Sequence, residues 1–159
     1  MTVILSKNLS FLNIQQPLFT GAFSSDLELI KQEITLNSDV YFREFNIGYT
    51  CTRAAIVFVE GLADKDLIDT HIMKSLMLEL SEEYKQEQAI MKGTVLKEFI
   101  KHHILSISQI KEVHNIKDLL SEVLTGSTAL LIDGSPDILI LGTTKGKKQE
   151  PLRSLYQSL

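Results

Sequence analysis

An unbroken run of apolar side chains at residues 54–59 (AAIVFV) constrains the fold of this chain more than any other feature. A strand with one solvent-facing side alternates polar and apolar residues, whereas a strand that is buried on both faces does not. We therefore expect residues 53–60 to form a strand in a sheet that is covered on both sides. The 159 residues of the chain are enough for one compact domain with such a core.

Other segments have the pattern of strands. A short loop joins residues 40–47 to the apolar run, and residues 128–132 and 138–141 flank a turn at Asp133 and Gly134. Each pair is therefore predicted to form a hairpin. Polar and apolar residues do not alternate perfectly around Arg43 and Glu44, which indicates a bulge at that point. Residues 107–114 are predicted to form a short edge strand.

Helices are predicted between these strands. Ser25 and Glu28 have the spacing of a capping box, which predicts that the first helix begins at Ser25. Asp64 and Asn115 have side chains that cap helices, and they precede predicted helices that end near residues 80 and 124. Residues 94–105 are also amphipathic with helical spacing. The predicted order is α-β-β-α-α-β-α-β-β.

This order predicts an α/β domain of the α+β type, in which helices pack on a mixed sheet of about four to five strands. We expect residues 1–24 to be an extended lead-in and residues 25–149 to form a single domain. Residues 150–159 are expected to be a tail that leads away from this domain.

Composition disfavours several classes of function. The net charge is −4 and the basic residues are spread along the chain, whereas a nucleic-acid surface needs a basic face. The single cysteine, Cys51, cannot form an internal disulfide or a cysteine-based metal site. No phosphate-binding glycine motif is present, so we expect no cofactor. No apolar run approaches the ~18 residues that cross a bilayer, so we expect the chain to be soluble.

Three segments are more specific when taken together. They are residues 39–48 (DVYFREFNIG), 54–68 (AAIVFVEGLADKDLI) and 124–134 (LTGSTALLIDG), and Glu150 and Pro151 follow them. In this order they resemble the A subunits of the GerA-type spore germinant receptors, including a Glu-Pro pair that follows this unit in the family. The resemblance spans roughly residues 25–151.

The resemblance implies a fold and a function. The chain would be the first of two related α/β lobes in a soluble N-terminal region, which precedes a membrane-spanning region that this chain lacks. The intact protein would lie in the spore inner membrane, with this lobe on the cytosolic, spore-core side. Its partners would be the second lobe, the other receptor subunits and a small nutrient germinant. We therefore predict a non-enzymatic sensing and coupling domain in nutrient-triggered germination.

Two pairs of charged residues are the candidate contact residues. Arg43 and Glu44 interrupt an apolar strand, either as an exposed ion pair at the sheet edge or as a contact to a neighbouring lobe or subunit. Glu60 and Asp64 follow the buried strand, where ligands bind in open α/β sheets, and are candidates for a polar rim. Helix capping is the simpler interpretation of Asp64.

Two other functions are compatible with the sequence. The first is an independent domain that binds a small molecule. The second is a metal-dependent hydrolase that uses the carboxylates of Glu60, Asp64 and Asp133. The second function requires these three side chains to converge in one coordination sphere.

Overall fold

The computed structural model describes residues 17–34, 39–48, 50–79 and 91–146, in which five strands and four helical segments follow the predicted order. The strands are β1 (Val40–Asn46), β2 (Arg53–Val59), β3 (Ile110–Val113), β4 (Thr128–Ile132) and β5 (Ile138–Leu141). The helices are α1 (Phe23–Ile34), α2 (Lys65–Leu67, continued over Ile68–Met73 and Ser75–Glu79), α3 (Gly93–Phe99, continued over Ile100–Ile104) and α4 (Ile116–Val123). Both continuations have wide π-type turns. The predicted lead-in before residue 17, the predicted helix end near residue 80 and the tail at 150–159 lie outside the described residues.

The strands form one sheet in the order β1-β2-β4-β5-β3, which confirms the α+β fold, both hairpins and the edge position of β3. The sheet is antiparallel at each of these pairings, however, and not mixed. The helical crossover through α4 does make β3 and β4 parallel to each other, as expected. Because β5 lies between them, parallel strands are never neighbours in this sheet.

The predicted bulge in β1 is absent. Pairing between β1 and β2 is continuous from Val40 opposite Val59 to Asn46 opposite Arg53. The imperfect alternation in β1 has a different cause, which is its position at the edge of the sheet. Side chains on both faces of β1 are exposed, among them Arg43 on one face and Glu44 on the other.

The sheet is covered on both faces, as the apolar run in β2 predicted. On one face, α1 and α4 bury alternate residues of the strands, including Ala55, Val57, Leu131 and Ile140. On the other face, α2 and α3 bury the intervening residues, including Ile56, Phe58, Leu130 and Leu139. The continuous run therefore serves two separate apolar cores, one above and one below the sheet.

Helix α1 begins at Phe23, two residues before the predicted start. The Asp26 carboxylate, which is buried, accepts hydrogen bonds from the backbone amides of Thr20 and Gly21, each at 2.9 Å. The Ser25 capping box is therefore wrong, because Asp26 fixes the turn before the helix instead. This arrangement also buries Phe23 beneath Arg53, whose guanidinium carbon lies 4.6 Å from the ring centroid.

The turn between β4 and β5 is enclosed by backbone from two other parts of the chain. The amide of Gly134 in this turn donates to the Gly21 carbonyl at 2.8 Å. The first residue of α3, Gly93, has a φ of +54°, and a Cβ atom there would lie 2.8 Å from the Gly134 oxygen. The approach of α3 to the turn therefore requires glycine at position 93.

Candidate functional site

The two predicted contact residues in β1 point in opposite directions, because adjacent residues of a strand project from opposite faces. The Glu44 carboxylate lies on the α1 side, 3.4 Å from the Arg53 guanidinium and 4.0 Å from the Lys31 ammonium. Arg43 lies on the α2 side and is exposed. An ion pair between Arg43 and Glu44 is therefore excluded. Their roles as contact residues stay predictions.

Arg43 lines a cleft between the edge strand and α2, which we name the β1–α2 groove. Its volume is about 370 Å³, and it is open to solvent. The residues around it are Arg43, Asp69, Met73, Lys74, Met77 and Leu78. The groove therefore combines an apolar floor with charged side chains, which is the composition of many protein–protein contacts.

Glu60 and Asp64 both lie near the C-terminal end of β2. Glu60 is exposed, and its backbone amide donates to the Asp39 carbonyl at 2.8 Å. The Asp64 carboxylate accepts the Leu67 amide at 3.2 Å, so Asp64 caps α2 as the simpler interpretation predicted. This bond leaves Asp64 with a structural role, and a ligand-binding role for either residue stays a prediction.

Asp133 lies at the opposite end of the sheet. Its amide donates to the carbonyl of Arg53, the first residue of β2, whereas Glu60 and Asp64 follow the last residue of that strand. Seven residues of β2 separate the two ends, which corresponds to about 20 Å. The three carboxylates cannot bind one metal ion, so the hydrolase interpretation is wrong.

The densest group of charges surrounds Lys97 of α3, which the sequence analysis did not single out. Its side chain is only 2% exposed. The ammonium lies 2.6 Å from a Glu98 oxygen, 2.9 Å from a Glu112 oxygen on β3 and 3.3 Å from an Asp137 oxygen in the β4–β5 turn. Lys101 also lies close to this group, 3.0 Å from Glu112. We name the group formed by Lys97, Glu98, Lys101, Glu112 and Asp137 the Lys97 network.

The network shifts the pKa values of Lys97, Glu98 and Glu112 in the directions that favour their charged forms. Burial opposes the charged form of Lys97, but hydrogen bonds to Glu98, Glu112 and Asp137 outweigh it and raise the pKa of the ammonium. The hydrogen bond from Lys97 lowers the pKa of Glu98. Burial acts against the Glu112 carboxylate, yet the two lysines still lower the pKa of that group. Lys97 therefore joins α3 to β3 and to the β4–β5 turn through its ion pairs with Glu112 and Asp137.

Glu112, His114 and Asp137 offer potential metal-ligand atoms within 4.8 Å of one another. The Lys97 ammonium, however, already contacts both carboxylates. His114 also uses its Nδ1 atom at 2.9 Å from Asp137. A divalent ion would have to enter beside a buried ammonium, so the positive charge that a metal would supply is already provided by Lys97.

Among the described residues, no helix is long and apolar enough to cross a membrane.

Comparisons with known proteins agree on one family. The family model described as Bacillus/Clostridium GerA spore germination protein matches residues 28–158. The chain is 29% identical to the spore germination protein GerLA of Bacillus cereus over 120 residues, and 24% identical to the spore germination protein KA of Bacillus subtilis over 138 residues. These matches cover 76% and 84% of this chain. The chain spans only about a quarter of the length of either relative, at 23% and 24%.

A solved structure has the same fold. It is the crystal structure of the N-terminal domain of the A subunit of the Bacillus megaterium spore germinant receptor GerK3. The TM-score is 0.63 and the sequence identity is 26%, over 84% of this chain and 50% of the other chain. With the family model matching most of its length, this chain belongs to the Bacillus/Clostridium GerA family of spore germination proteins.

Proposed function

We propose that this chain is one lobe of the N-terminal region of a germinant-receptor A subunit, and that it couples nutrient sensing to germination through contacts with a second lobe and with other subunits. The observation that carries this proposal is the similarity to the GerK3 A-subunit domain over 84% of the chain. The chain corresponds to half of that domain, which is the share expected of one lobe out of two.

The fold supports a mechanical role for such a lobe. Helices on both faces of one sheet make the strands a rigid unit, and the Lys97 network ties α3 to the sheet. A rigid unit transmits a shift in its position to whatever it contacts. A nutrient that binds one arrangement of lobes more tightly than another would thereby change the position of this lobe relative to its partners.

The location of the intact protein follows from the same proposal. A receptor that detects nutrients outside the spore core must be held at a membrane, and we infer that it is the spore inner membrane. The lobe would then face the spore core, where it could contact the cytosolic parts of the other subunits. Sensing and location both depend on parts of the receptor beyond the segment that this chain matches, which is about a quarter of the length of either relative.

Removal of the gene for this protein tests the proposal. Spores that lack the gene are expected to lose germination in response to at least one member of a panel of L-amino acids and monosaccharides. The measurement is the fall in absorbance of a spore suspension after addition of each nutrient. A plasmid copy of the natural gene should restore the response, and a copy without residues 23–146 should not.

The yield of heat-resistant spores is the control in these strains. An equal yield shows that spore formation is intact, so that a lost response reflects germination alone. If the deleted strain responds to every nutrient at the normal rate, or if the copy without residues 23–146 restores the lost response, the proposed function is wrong.

A further inference from the structure

Two leucines are exposed at the end of the sheet where β2 and β5 finish. Leu62, in the loop between β2 and α2, is 43% exposed, and Leu124, at the C-terminal end of α4, is 42% exposed. The two loops touch, because a Cβ atom on Gly126 would lie 2.8 Å from the Leu62 backbone oxygen. We name the surface formed by Leu62, Leu124 and the exposed carboxylate of Glu60 the exit patch.

The described chain leaves the sheet beside the exit patch. After β5, the Lys145 amide donates to the Leu62 carbonyl at 2.8 Å. The Thr144 hydroxyl donates to the Thr125 carbonyl at 3.2 Å. These bonds fasten the outgoing strand of polypeptide to both loops of the patch. The last described residue of this part, Gly146, is therefore held next to the patch.

The sequence that follows has the pattern of an amphipathic helix. Apolar side chains recur there at the helical spacing i, i+3, i+4 and i+7, which would place them on one face. They are Leu152, Leu155, Tyr156 and Leu159. Pro151 stands directly before them, and proline is favoured at the first position of a helix. A helix this short is only marginally stable alone in water, so its apolar stripe requires a surface to pack against.

The link to this segment is short. The six residues from Gly146 to Leu152 span at most about 20 Å. The exposed side chains of Met77 and Val95 lie at the opposite end of the sheet, near the β1–β2 and β4–β5 turns. The length of β2, about 20 Å, separates the two ends. Only a fully extended link would reach that end, whereas the exit patch adjoins Gly146.

The charges of the segment and of the patch are complementary. Residues 147–159 carry three basic side chains and one acidic side chain. Glu60 is exposed at the C-terminal end of β2, and none of the residues that the structure describes forms an ion pair with it. A basic side chain of the segment would supply this partner. Such a contact at the rim favours one orientation of the segment on the patch.

We propose that residues 151–159 form a helix whose apolar stripe packs on the exit patch. The occupant is a segment of this chain, so the docked helix does not depend on the proposed function. Docking would cover Leu62 and Leu124 with the leucine and tyrosine side chains of the stripe. The segment would then be a fixed part of this domain and not a tail that leads away from it.

Hydroxyl-radical footprinting of two chains tests the docked helix. One is the complete 159-residue chain, and the other ends at Gly146. Modification of Leu62 should be about fourfold lower in the complete chain, because the helix would remove most of the exposed area of this side chain from water. Val95, which is 63% exposed on α3, should react equally in both chains. Leu130, which is buried, should stay unmodified in both and so shows that the shorter chain is folded.

Two variants of the complete chain test the apolar stripe itself. Leu155→Asp places a charge within the stripe and should raise the modification of Leu62 to the level of the shorter chain. Ser154→Asp adds the same charge on the opposite side of the helix, where it would face water. Leu62 should stay protected in this second variant.

Three results would overturn the docked helix. They are equal modification of Leu62 in the complete and shorter chains, an equal effect of Leu155→Asp and Ser154→Asp, and protection of Leu62 that disappears on dilution. The last result would assign the patch to the segment of a second copy. A failure of the proposed function is distinct, because it would appear as normal germination after deletion of the gene.

Discussion

Replacement of Lys97 by methionine is expected to lower the free energy of unfolding by about 3 kcal/mol, which corresponds to a fall in Tm of roughly 6–12 °C. Methionine has a similar length and can occupy the same buried position. It leaves the carboxylates of Glu112 and Asp137 without the ammonium that lies 2.9 and 3.3 Å away. Both carboxylates retain some access to water, so the expected cost is at the lower end of the range for a broken buried ion pair.

The matched control for Lys97 is Lys101→Met. Lys101 contacts the same carboxylate, Glu112, at 3.0 Å, but its side chain is 28% exposed. The loss should therefore be below about 1 kcal/mol, as for other exposed ion pairs. Urea unfolding followed by circular dichroism measures both values. If both variants lose the same free energy of unfolding, burial of Lys97 adds nothing to the stability of the fold. The Lys97 network would then have no structural role.

Replacement of Gly93 by alanine is also expected to be strongly destabilising. The residue has a φ of +54°, where a side chain costs roughly 1 kcal/mol. Its Cβ atom would lie 2.8 Å from the backbone oxygen of Gly134, which cannot rotate away. Relief of this contact would displace α3 or the β4–β5 turn, and we expect about 2 kcal/mol in addition.

Gly61→Ala separates these two contributions. Gly61 has a φ of +91°, but no atom lies within 4 Å of the position of its Cβ. Alanine at this position should therefore show the conformational cost alone. The same unfolding measurement applies to both variants. If Gly61→Ala is as destabilising as Gly93→Ala, the close approach of α3 to the turn is not a constraint on the fold.

The sheet could be predicted from the sequence because its signal is local. Burial of β2 on both faces requires an unbroken apolar run, and residues 54–59 supply one. The turn at Asp133 and Gly134 likewise marks the β4–β5 hairpin by its composition. The order of the strands has no such local signal. Insertion of β5 between β3 and β4 is decided by the tertiary packing, which is why a mixed sheet was expected and an antiparallel one is found.

The candidate sites were less predictable than the fold. Lys97 lies three and seven residues before Ile100 and Ile104, and this spacing would have placed it on the buried side of its helix. No local sequence pattern identifies its partners, because Glu112 and Asp137 are 15 and 40 residues away from Lys97. They come close to Lys97 only through the order of the strands in the sheet. Arg43 was identified as unusual in a strand, but its association with α2 depends on how that helix crosses the sheet.

Germination of spores that carry Arg43→Glu in the natural gene tests most directly whether this protein acts through its contacts. The initial rate of absorbance loss after addition of an effective nutrient is expected to be at least about tenfold lower than in the wild type, because a reversed charge in an interface opposes association. Spores with Lys117→Glu should germinate at the normal rate, with equal amounts of protein in both strains. Normal germination of the Arg43→Glu spores at that protein level would contradict the account.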